Sequence, residues 1–205
     1  MRLTNSWNRF IYRLWAPIYD LLFDLPYREG RRQSMAALAV RPNERVLLVG
    51  VGTGLDLPGL APNVTAVGID LSGPMLMQAS AKLPLPGRCV SLVQGDAEAL
   101  PFRDGAFDAA LSNLIVSVVP DGAMCFRETL RVLRPGGRLS LFDKFLAPDQ
   151  TPSPPRRLLN VFSTLAGTDV NRRFEDIAAG SHFIMQRDEP NLLRGMYRVI
   201  LLEKP

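Results

Sequence analysis

The segment from Val46 to Gly54 constrains the fold of this chain more than any other part of the sequence. It is an apolar strand that runs into three glycines at alternate positions. Glycine lets a backbone turn tightly and approach a ligand closely. A second apolar run, 64–69, ends on Asp70, where a carboxylate can accept hydrogen bonds from a ribose. Strand, glycine loop, strand and acid in this order predict a nucleoside-binding α/β domain.

Strands and helices alternate from Glu44 to Asp143, which predicts a parallel sheet covered by helices on both faces. Helical spacing predicts one helix behind Ser72 and Pro74 and another over 121–133. The sequence 134–137, Arg-Pro-Gly-Gly, is expected to end the second helix in a tight turn. The predicted strands of this region are 45–50, 64–70, 89–93, 107–111 and 138–142. Two further runs, 182–185 and 196–202, are typical of an antiparallel hairpin turning at 188–190.

The first 41 residues carry an amphipathic pattern that is interrupted at Pro17. Arg9, Arg13 and Asp20 lie between its apolar residues. Such a stripe predicts burial against the domain, but Trp, Phe and Arg also suit a helix lying in a membrane interface. Both predictions, burial against the domain and contact with a membrane, hold if the helix forms a lid. The apolar residues of the stripe are Trp7, Phe10, Ile11, Leu14, Trp15, Ile18, Tyr19 and Leu22.

A second apolar helical face follows the proline-rich connection 151–155. Arg156 and Arg157 lie beside it, as arginines lie beside the first stripe. Both faces are therefore expected to meet one anionic membrane surface. The apolar residues of this second face are Leu158, Leu159, Phe162 and Leu165.

Length and composition are those of one globular domain. The chain has 205 residues, 47% of them hydrophobic and 21% charged. The net charge of +4 suits an anionic partner, either nucleic acid or an acidic membrane, although arginine can also serve solubility alone. No apolar run approaches the roughly 18–20 residues of a membrane span, and the first six residues lack the apolar region of a secretory signal. We therefore expect a cytoplasmic protein, peripheral on the inner face of the membrane if the lid binds lipid.

The two cysteines and the single histidine do not suggest a metal site or a nucleophile. Cys89 and Cys125 lack metal-ligand spacing, so we expect buried thiols in a reducing compartment rather than a disulfide. His182 lies in the predicted hairpin, where a structural role is expected. No catalytic base is identified.

Two further blocks complete the nucleoside pattern. An acid at Asp96, followed by Ala97 directly after the third strand, can bind an adenine amino group and a ring nitrogen. Ser112 and Asn113 follow the fourth strand. With these blocks in order, residues 44–146 resemble the class I S-adenosylmethionine-dependent methyltransferases.

The N-terminal segment narrows the resemblance. Residues 12–20, Tyr-Arg-Leu-Trp-Ala-Pro-Ile-Tyr-Asp, with Gly-Arg-Arg at 30–32, are similar to the subgroup that holds bacterial phospholipid N-methyltransferases and ubiquinone/menaquinone C-methyltransferases. The resemblance implies a Rossmann-like, seven-stranded, mostly parallel sheet with an antiparallel C-terminal hairpin and helices on both faces. It also implies one domain. Its parts are an N-terminal helical lid (1–41), a cofactor-binding core (42–146), a proline-rich connection with helices (147–180) and a hairpin (181–205).

The resemblance further implies S-adenosylmethionine as cofactor and a set of residues around it. Asp70 would hold the ribose hydroxyls, and Leu71 would pack on the adenine. The loop residues that would contact the methionine end and the ribose, or open the next helix, are Gly50, Val51, Gly52, Thr53 and Gly54.

The remaining implied contacts lie at the adenine and at the methyl group. Asp96 and Ala97 would bind the adenine edge. Ser112 or Asn113 would line the methyl-transfer site, and Tyr19 would close over the cofactor from the N-terminal helix. Plain core packing is the alternative for Tyr19, and capping is the alternative for the two acids.

One position departs from the family. An acid that usually anchors the loop or the cofactor's amino group is replaced by Leu48, so another residue substitutes or the fold binds the cofactor differently. The expected acceptor is a phospholipid amine of the phosphatidylethanolamine type. A quinone precursor, a soluble small molecule and a divergent cofactor-binding protein are the alternatives. Residues 112–115 lack the Asn/Asp-Pro-Pro-aromatic motif of base-methylating enzymes, so nucleic acid is not the expected partner.

Overall fold

Seven strands form a single sheet in the computed structural model, which describes residues 3–147, 158, 160 and 163–205. The order across the sheet is β3-β2-β1-β4-β5-β7-β6. β7 runs antiparallel to both β5 and β6, and the other neighbours are parallel. This confirms the predicted mostly parallel sheet with an antiparallel C-terminal pair. The strands are β1 (Arg45–Val49), β2 (Thr65–Asp70), β3 (Cys89–Gln94), β4 (Phe107–Asn113), β5 (Leu133–Lys144), β6 (Ile184–Pro190) and β7 (Tyr197–Glu203).

The helices surround this sheet, and the N-terminal pair is interrupted near Pro17 as the sequence predicts. β1 and β2 are joined through a short 3₁₀ helix, Leu57–Gly59, that contains Pro58. Within the described ranges, no helix combines the length and the hydropathy needed to cross a membrane. The α-helices there are α1 (Asn5–Trp15), α2 (Tyr19–Leu38), α3 (Gly73–Ser80), α4 (Gly122–Val132), α5 (Phe174–Ala178) and α6 (Leu192–Gly195).

Burial of β1 on both faces explains its continuous apolar sequence. Val46, Leu47 and Leu48 are at most 2% exposed. Alternate side chains point to opposite faces of a sheet, so Leu47 joins the core on one face and Leu48 the core on the other. Leu48 packs there with Leu38 of α2 and Leu57 of the 3₁₀ helix. The position where the family usually carries an acid is therefore a core position in this chain.

Several boundaries differ from the sequence predictions. β5 begins at Leu133, so the predicted turn at 134–137 lies inside the bounds of the strand. Its pairing with β4 shifts register there, and Gly136 has a φ of +72°. Residues 188–190 belong to β6, and the turn to β7 is made by α6 instead.

Other predictions fall on the surface or outside the described residues. Cys125 is buried, but Cys89 is exposed, because it begins strand β3 at the edge of the sheet. His182 is exposed just before β6. Leu158 and Leu165, which belong to the second predicted apolar face, are both exposed. Two members of this face, Leu159 and Phe162, and the flanking Arg156 and Arg157 lie outside the described residues.

Contact between α2 and β5 depends on a glycine. A Cβ built on Gly30 would lie 2.1 Å from Cζ of Phe142, a buried ring of β5. One turn further along α2, the buried hydroxyls of Ser34 and Ser140 are 2.8 Å apart and share a hydrogen bond. α2 therefore approaches the sheet closely, which positions its other residues over the carboxyl ends of the strands.

Replacing Gly30 by alanine tests this close approach. An exposed helical glycine-to-alanine change stabilises by about 1 kcal/mol, whereas overpacking in a core destabilises by about 1–3 kcal/mol. We expect Gly30→Ala to lower the free energy of unfolding, measured by urea denaturation. Gly59→Ala is the control, because its Cβ would meet only the Met35 side chain at 3.8 Å. A Gly30→Ala variant as stable as wild type would contradict this packing.

Candidate cofactor site

A buried carboxylate ties the glycine loop to the end of β2. Oδ2 of Asp70 accepts a hydrogen bond from the Gly52 N–H at 2.8 Å, and Oδ1 accepts one from the Ser72 N–H at 2.8 Å. Burial raises the pKa of Asp70, while the amides of Ser72 and Gly52 act to lower it. Each carboxylate oxygen keeps a lone pair for another donor. Asp70 thus orders the loop and remains able to accept hydrogen bonds from a ligand.

The loop borders a narrow cavity of about 80 Å³ at the carboxyl ends of the strands. Gly52, at a φ of +55°, leaves its Cβ position open, since the nearest atom is the Gly50 carbonyl oxygen at 4.0 Å. α1 covers the cavity. The sequence-predicted residues that the structure brings together here are Tyr19, Gly50, Gly52, Asp70, Leu71, Asp96, Ala97 and Asn113.

Four sequence-predicted residues are directed elsewhere. Val51 packs in the core beside Gly68. The Thr53 hydroxyl donates a hydrogen bond to Asp20 of α2, and Gly54, at a φ of +79°, packs closely against α3. Ser112 is buried in β4, outside the residues that line the cavity. Their contribution to the site is to support the loop and the strand rather than to line the space.

Polar residues of α1 line the cavity, which the sequence reasoning missed. Nδ2 of Asn5 donates to Oδ2 of Asp96 at 2.6 Å, and Nδ2 of Asn8 donates to the Val118 carbonyl at 2.8 Å. Tyr12 lies on the same inner face. An asparagine inside an apolar helical stripe was the available signal, because asparagine disfavours helix interiors and needs hydrogen-bond partners.

Unsatisfied polar atoms surround the cavity. Oδ1 of Asn8, Oγ of Ser72 and Oδ1 of Asn113 are buried without a hydrogen-bond partner among the described residues. All three residues line the cavity. Buried polar groups in native proteins are nearly always hydrogen-bonded. Three such atoms around one space, together with Asp70, therefore fit a polar ligand such as a nucleoside.

An ionic network supports the loop from behind. Nδ2 of Asn113 donates to Oδ2 of Asp56 at 3.0 Å, and Nε of Arg31 lies 3.2 Å from the other oxygen of Asp56. Burial raises the pKa of Asp56, and Arg31 acts to lower it. Nζ of Lys82 donates to Asp20 and to the Thr53 carbonyl, each at 2.7 Å. α2 is thereby connected to both sides of the glycine loop.

A second cavity, of about 330 Å³, adjoins the first. Tyr12, Tyr19, Leu114 and Val118 line both cavities. We call this second space the aromatic cavity, because six aromatic side chains of the described ranges line it together with the buried Lys144. The two spaces share a wall at the carboxyl end of β4, so a ligand in one borders a ligand in the other.

Comparison with known proteins identifies the family. Residues 47–141 match the family described as "Methyltransferase domain". The chain is 33% identical over 196 residues to the phosphatidylethanolamine N-methyltransferase of Cereibacter sphaeroides, covering 94% of this chain and 95% of that protein. The chain belongs to the S-adenosylmethionine-dependent methyltransferases. Its cofactor is S-adenosylmethionine, in agreement with the sequence prediction.

Two further likenesses define how far the family resemblance extends. The demethylmenaquinone methyltransferase of Thermus thermophilus is 40% identical to this methyltransferase over 136 residues, which cover 62% of this chain and 61% of that protein. A chain of the complex between the Haloferax volcanii Trm112 methyltransferase activator and a methyltransferase superposes with a TM-score of 0.78. It is 16% identical, and the match covers 96% of this chain and 97% of that one. The structural likeness shows the shared fold.

Removing the Asp70 carboxylate tests its role at this site. We expect Asp70→Ala to weaken binding of S-adenosylhomocysteine by about 1–3 kcal/mol, because the buried ribose hydroxyls of the ligand would lose a charged hydrogen-bond acceptor. Isothermal titration calorimetry measures the loss. Asp104→Ala removes an exposed carboxylate paired with Arg131 and is the matched control, expected to bind as wild type. A folded Asp70→Ala variant with unchanged affinity would exclude Asp70 as a cofactor ligand.

Proposed function

We propose that this methyltransferase methylates the amine of a phospholipid headgroup of the phosphatidylethanolamine type at an anionic membrane surface. The observation that carries the proposal is an exposed apolar stripe on the outer face of α1 and α2, beside the aromatic cavity. The full-length match to an enzyme named phosphatidylethanolamine N-methyltransferase supports it.

The structure divides the apolar stripe predicted from the sequence between an outer and an inner face. Phe10 and Leu14 face outward from α1, whereas Trp15 lines the aromatic cavity instead. Leu21 and Leu25 of α2 are 83% and 75% exposed and continue the same spacing of three or four residues. Exposed apolar side chains clustered in this way are typical of a protein or membrane interaction site. The stripe consists of Phe10, Leu14, Ile18, Leu21, Leu22 and Leu25.

Charge on α1 favours a membrane as the partner of the stripe. Arg9 and Arg13 are exposed and line a shallow groove beside Ser72, at the edge of the cofactor cavity. Each arginine near an anionic bilayer contributes about 1 kcal/mol of attraction. Apolar side chains inserted between such arginines are typical of interfacial helices. A lipid acceptor would then reach the enzyme without leaving its bilayer.

The residues around the first cavity would hold the cofactor. S-adenosylmethionine supplies an electrophilic methyl group when bound. Asp70 would accept the ribose hydroxyls, and the free Oδ1 of Asn113 would accept the cofactor's amino group in place of the acid absent at Leu48. Asp56 holds the Asn113 amide in that orientation. Methyl transfer to a neutral amine requires mainly alignment of the reacting atoms.

α1 would act as the lid over this cofactor. The cavity of about 80 Å³ is smaller than the roughly 300 Å³ of a typical small-molecule site. In this proposal cofactor entry displaces α1 from the loop, and Asp96 exchanges its hydrogen bond with Asn5 for one with the adenine.

A quinone precursor is the second candidate acceptor, because the demethylmenaquinone methyltransferase of Thermus thermophilus is 40% identical over its matched region. A methyltransferase acting on a soluble small molecule is a third candidate, and a divergent protein that binds the cofactor without transferring its methyl group is a fourth. These candidates differ in the acceptor that takes up the methyl group, so one assay separates them.

Transfer of labelled methyl groups from S-adenosylmethionine decides between the acceptors. We expect label in the lipid extract of vesicles that contain phosphatidylethanolamine and phosphatidylglycerol. Free ethanolamine, a demethylmenaquinone analogue and RNA are the parallel acceptors. Label in the quinone analogue alone, or in ethanolamine as readily as in lipid, would contradict the phospholipid proposal. Cofactor binding without transfer to any acceptor would favour the divergent binding protein.

Sedimentation with the same anionic vesicles tests the membrane surface. We expect binding at low salt that weakens in Arg9→Glu/Arg13→Glu, through lost attraction, and in Leu25→Asp, through lost apolar insertion. Met124→Asp on α4 is the control, because it places the same charge on another exposed apolar position. Protein that stays in the supernatant, or an equal loss in the control, would contradict docking through α1 and α2.

A further inference from the structure

One face of α2 carries a ladder of aromatic rings. Tyr19, Phe23 and Tyr27 are spaced four residues apart, so they lie one above another along the helix. The ring centroids are 4.7 Å apart between Tyr19 and Phe23 and 6.2 Å apart between Phe23 and Tyr27. Tyr197 of β7 continues the ladder at 5.3 Å from Tyr27. Trp15 of α1 contacts Phe23 edge-on at 5.8 Å.

These rings enclose the second cavity beside the cofactor site. With Tyr12, six aromatic side chains of the described residues line this space of about 330 Å³. Tyr12 and Tyr19 also line the cofactor cavity, so the ladder begins where the methyl group would be presented. Burial raises the pKa of both hydroxyls, with nearby acids including Asp70 adding to the shift. Both phenols are therefore uncharged at neutral pH.

The aromatic cavity holds one cationic side chain against a ring. The Nζ of Lys144 already lies 5.9 Å from the Tyr197 ring centroid, at the end of the ladder far from Tyr19. Its charge is balanced by Asp143, whose Oδ1 is 3.7 Å away, and Nζ donates to the Ser117 hydroxyl at 2.8 Å. Aromatic faces attract ammonium groups, most strongly when several rings surround a desolvated cation.

We propose that this aromatic cavity is the acceptor site and recognises an alkylammonium headgroup through the ring faces of Trp15, Tyr19, Phe23 and Tyr27. The inference rests on the proposed methylation of an amine, since successive methylation makes the headgroup a permanent cation that donates fewer hydrogen bonds. Ring faces would hold the ammonium form of each intermediate, whose proton passes to water before the neutral amine attacks the methyl group, and they would hold the quaternary product. A neutral quinone precursor carries no positive charge, so it would have no cation–π attraction to these rings.

Binding of choline and of its neutral isostere isolates the effect of charge. Choline and 3,3-dimethyl-1-butanol have nearly the same shape, but only choline is charged. We expect ligand-observed NMR titration to give at least about tenfold tighter binding of choline. Equal binding of the two compounds would show that the cavity recognises shape rather than charge. Binding of neither compound would show that the cavity is not an ammonium site, and either result would overturn the proposal.

Phe23→Leu removes one ring while keeping an apolar side chain. We expect the preference for choline to fall to about twofold. Phe23→Tyr keeps a ring face, so we expect it to retain the preference for choline. Phe183→Leu is the matched control, because Phe183 is likewise half-buried but packs against Phe126 and Phe174. A preference that survives unchanged in Phe23→Leu, or that falls equally in Phe183→Leu, would overturn the assignment.

The readout is independent of the proposed reaction. Calorimetry with S-adenosylhomocysteine should give wild-type affinity in Phe23→Leu, which confirms its fold and its cofactor site. Choline selectivity without methyl transfer to any amine would refute the proposed function and leave the ammonium site standing. Methyl transfer to phosphatidylethanolamine without choline selectivity would support the proposed function and refute the ammonium site. Activity on vesicles rather than on O-phosphoethanolamine would identify a lipid as the source of the headgroup.

Discussion

The Asp70 carboxylate is the interaction on which the candidate site depends. It accepts the amides of Gly52 and Ser72, so one side chain fixes both the glycine loop after β1 and the turn into α3. A carboxylate buried in this way is costly unless it is hydrogen-bonded. The two amides offset that cost, and the remaining lone pairs are available to a ligand. The same group thus stabilises the loop and supplies one of the carboxylates that line the cavity.

α2 connects this loop to the acceptor side of the molecule. Gly30 allows it to pack on Phe142, and Arg31 joins it to Asp56 behind the loop. With α2 fixed in this way, Tyr19 lies between the cofactor cavity and the aromatic cavity, while Leu21 faces outward on the exposed stripe. In our account, cofactor, acceptor and membrane are therefore organised by different faces of one helix.

The sequence was sufficient for the sheet because its signals are local. Apolar strands, the glycine loop and Asp70 follow from residue type and spacing, and the predicted fold is confirmed. Side-chain direction is set by tertiary packing, so the family pattern did not separate Asn113, which lines the cavity, from Ser112, its neighbour in β4. Asn5 and Asn8 were missed because a hydrophobic pattern ignores polar residues on the inner face. Lys144 joins the second cavity only through the pairing of β5 with β7.

Hydrogen exchange with and without S-adenosylhomocysteine tests the central claim most directly, namely that the cofactor lies between the glycine loop and α1. We predict slower amide exchange on ligand binding in 50–54, in 70–73 and in the first turns of α1. Exchange in β6, at the far edge of the sheet, should be unchanged. Protection that is absent from the loop, or that appears only outside these segments, would contradict the account.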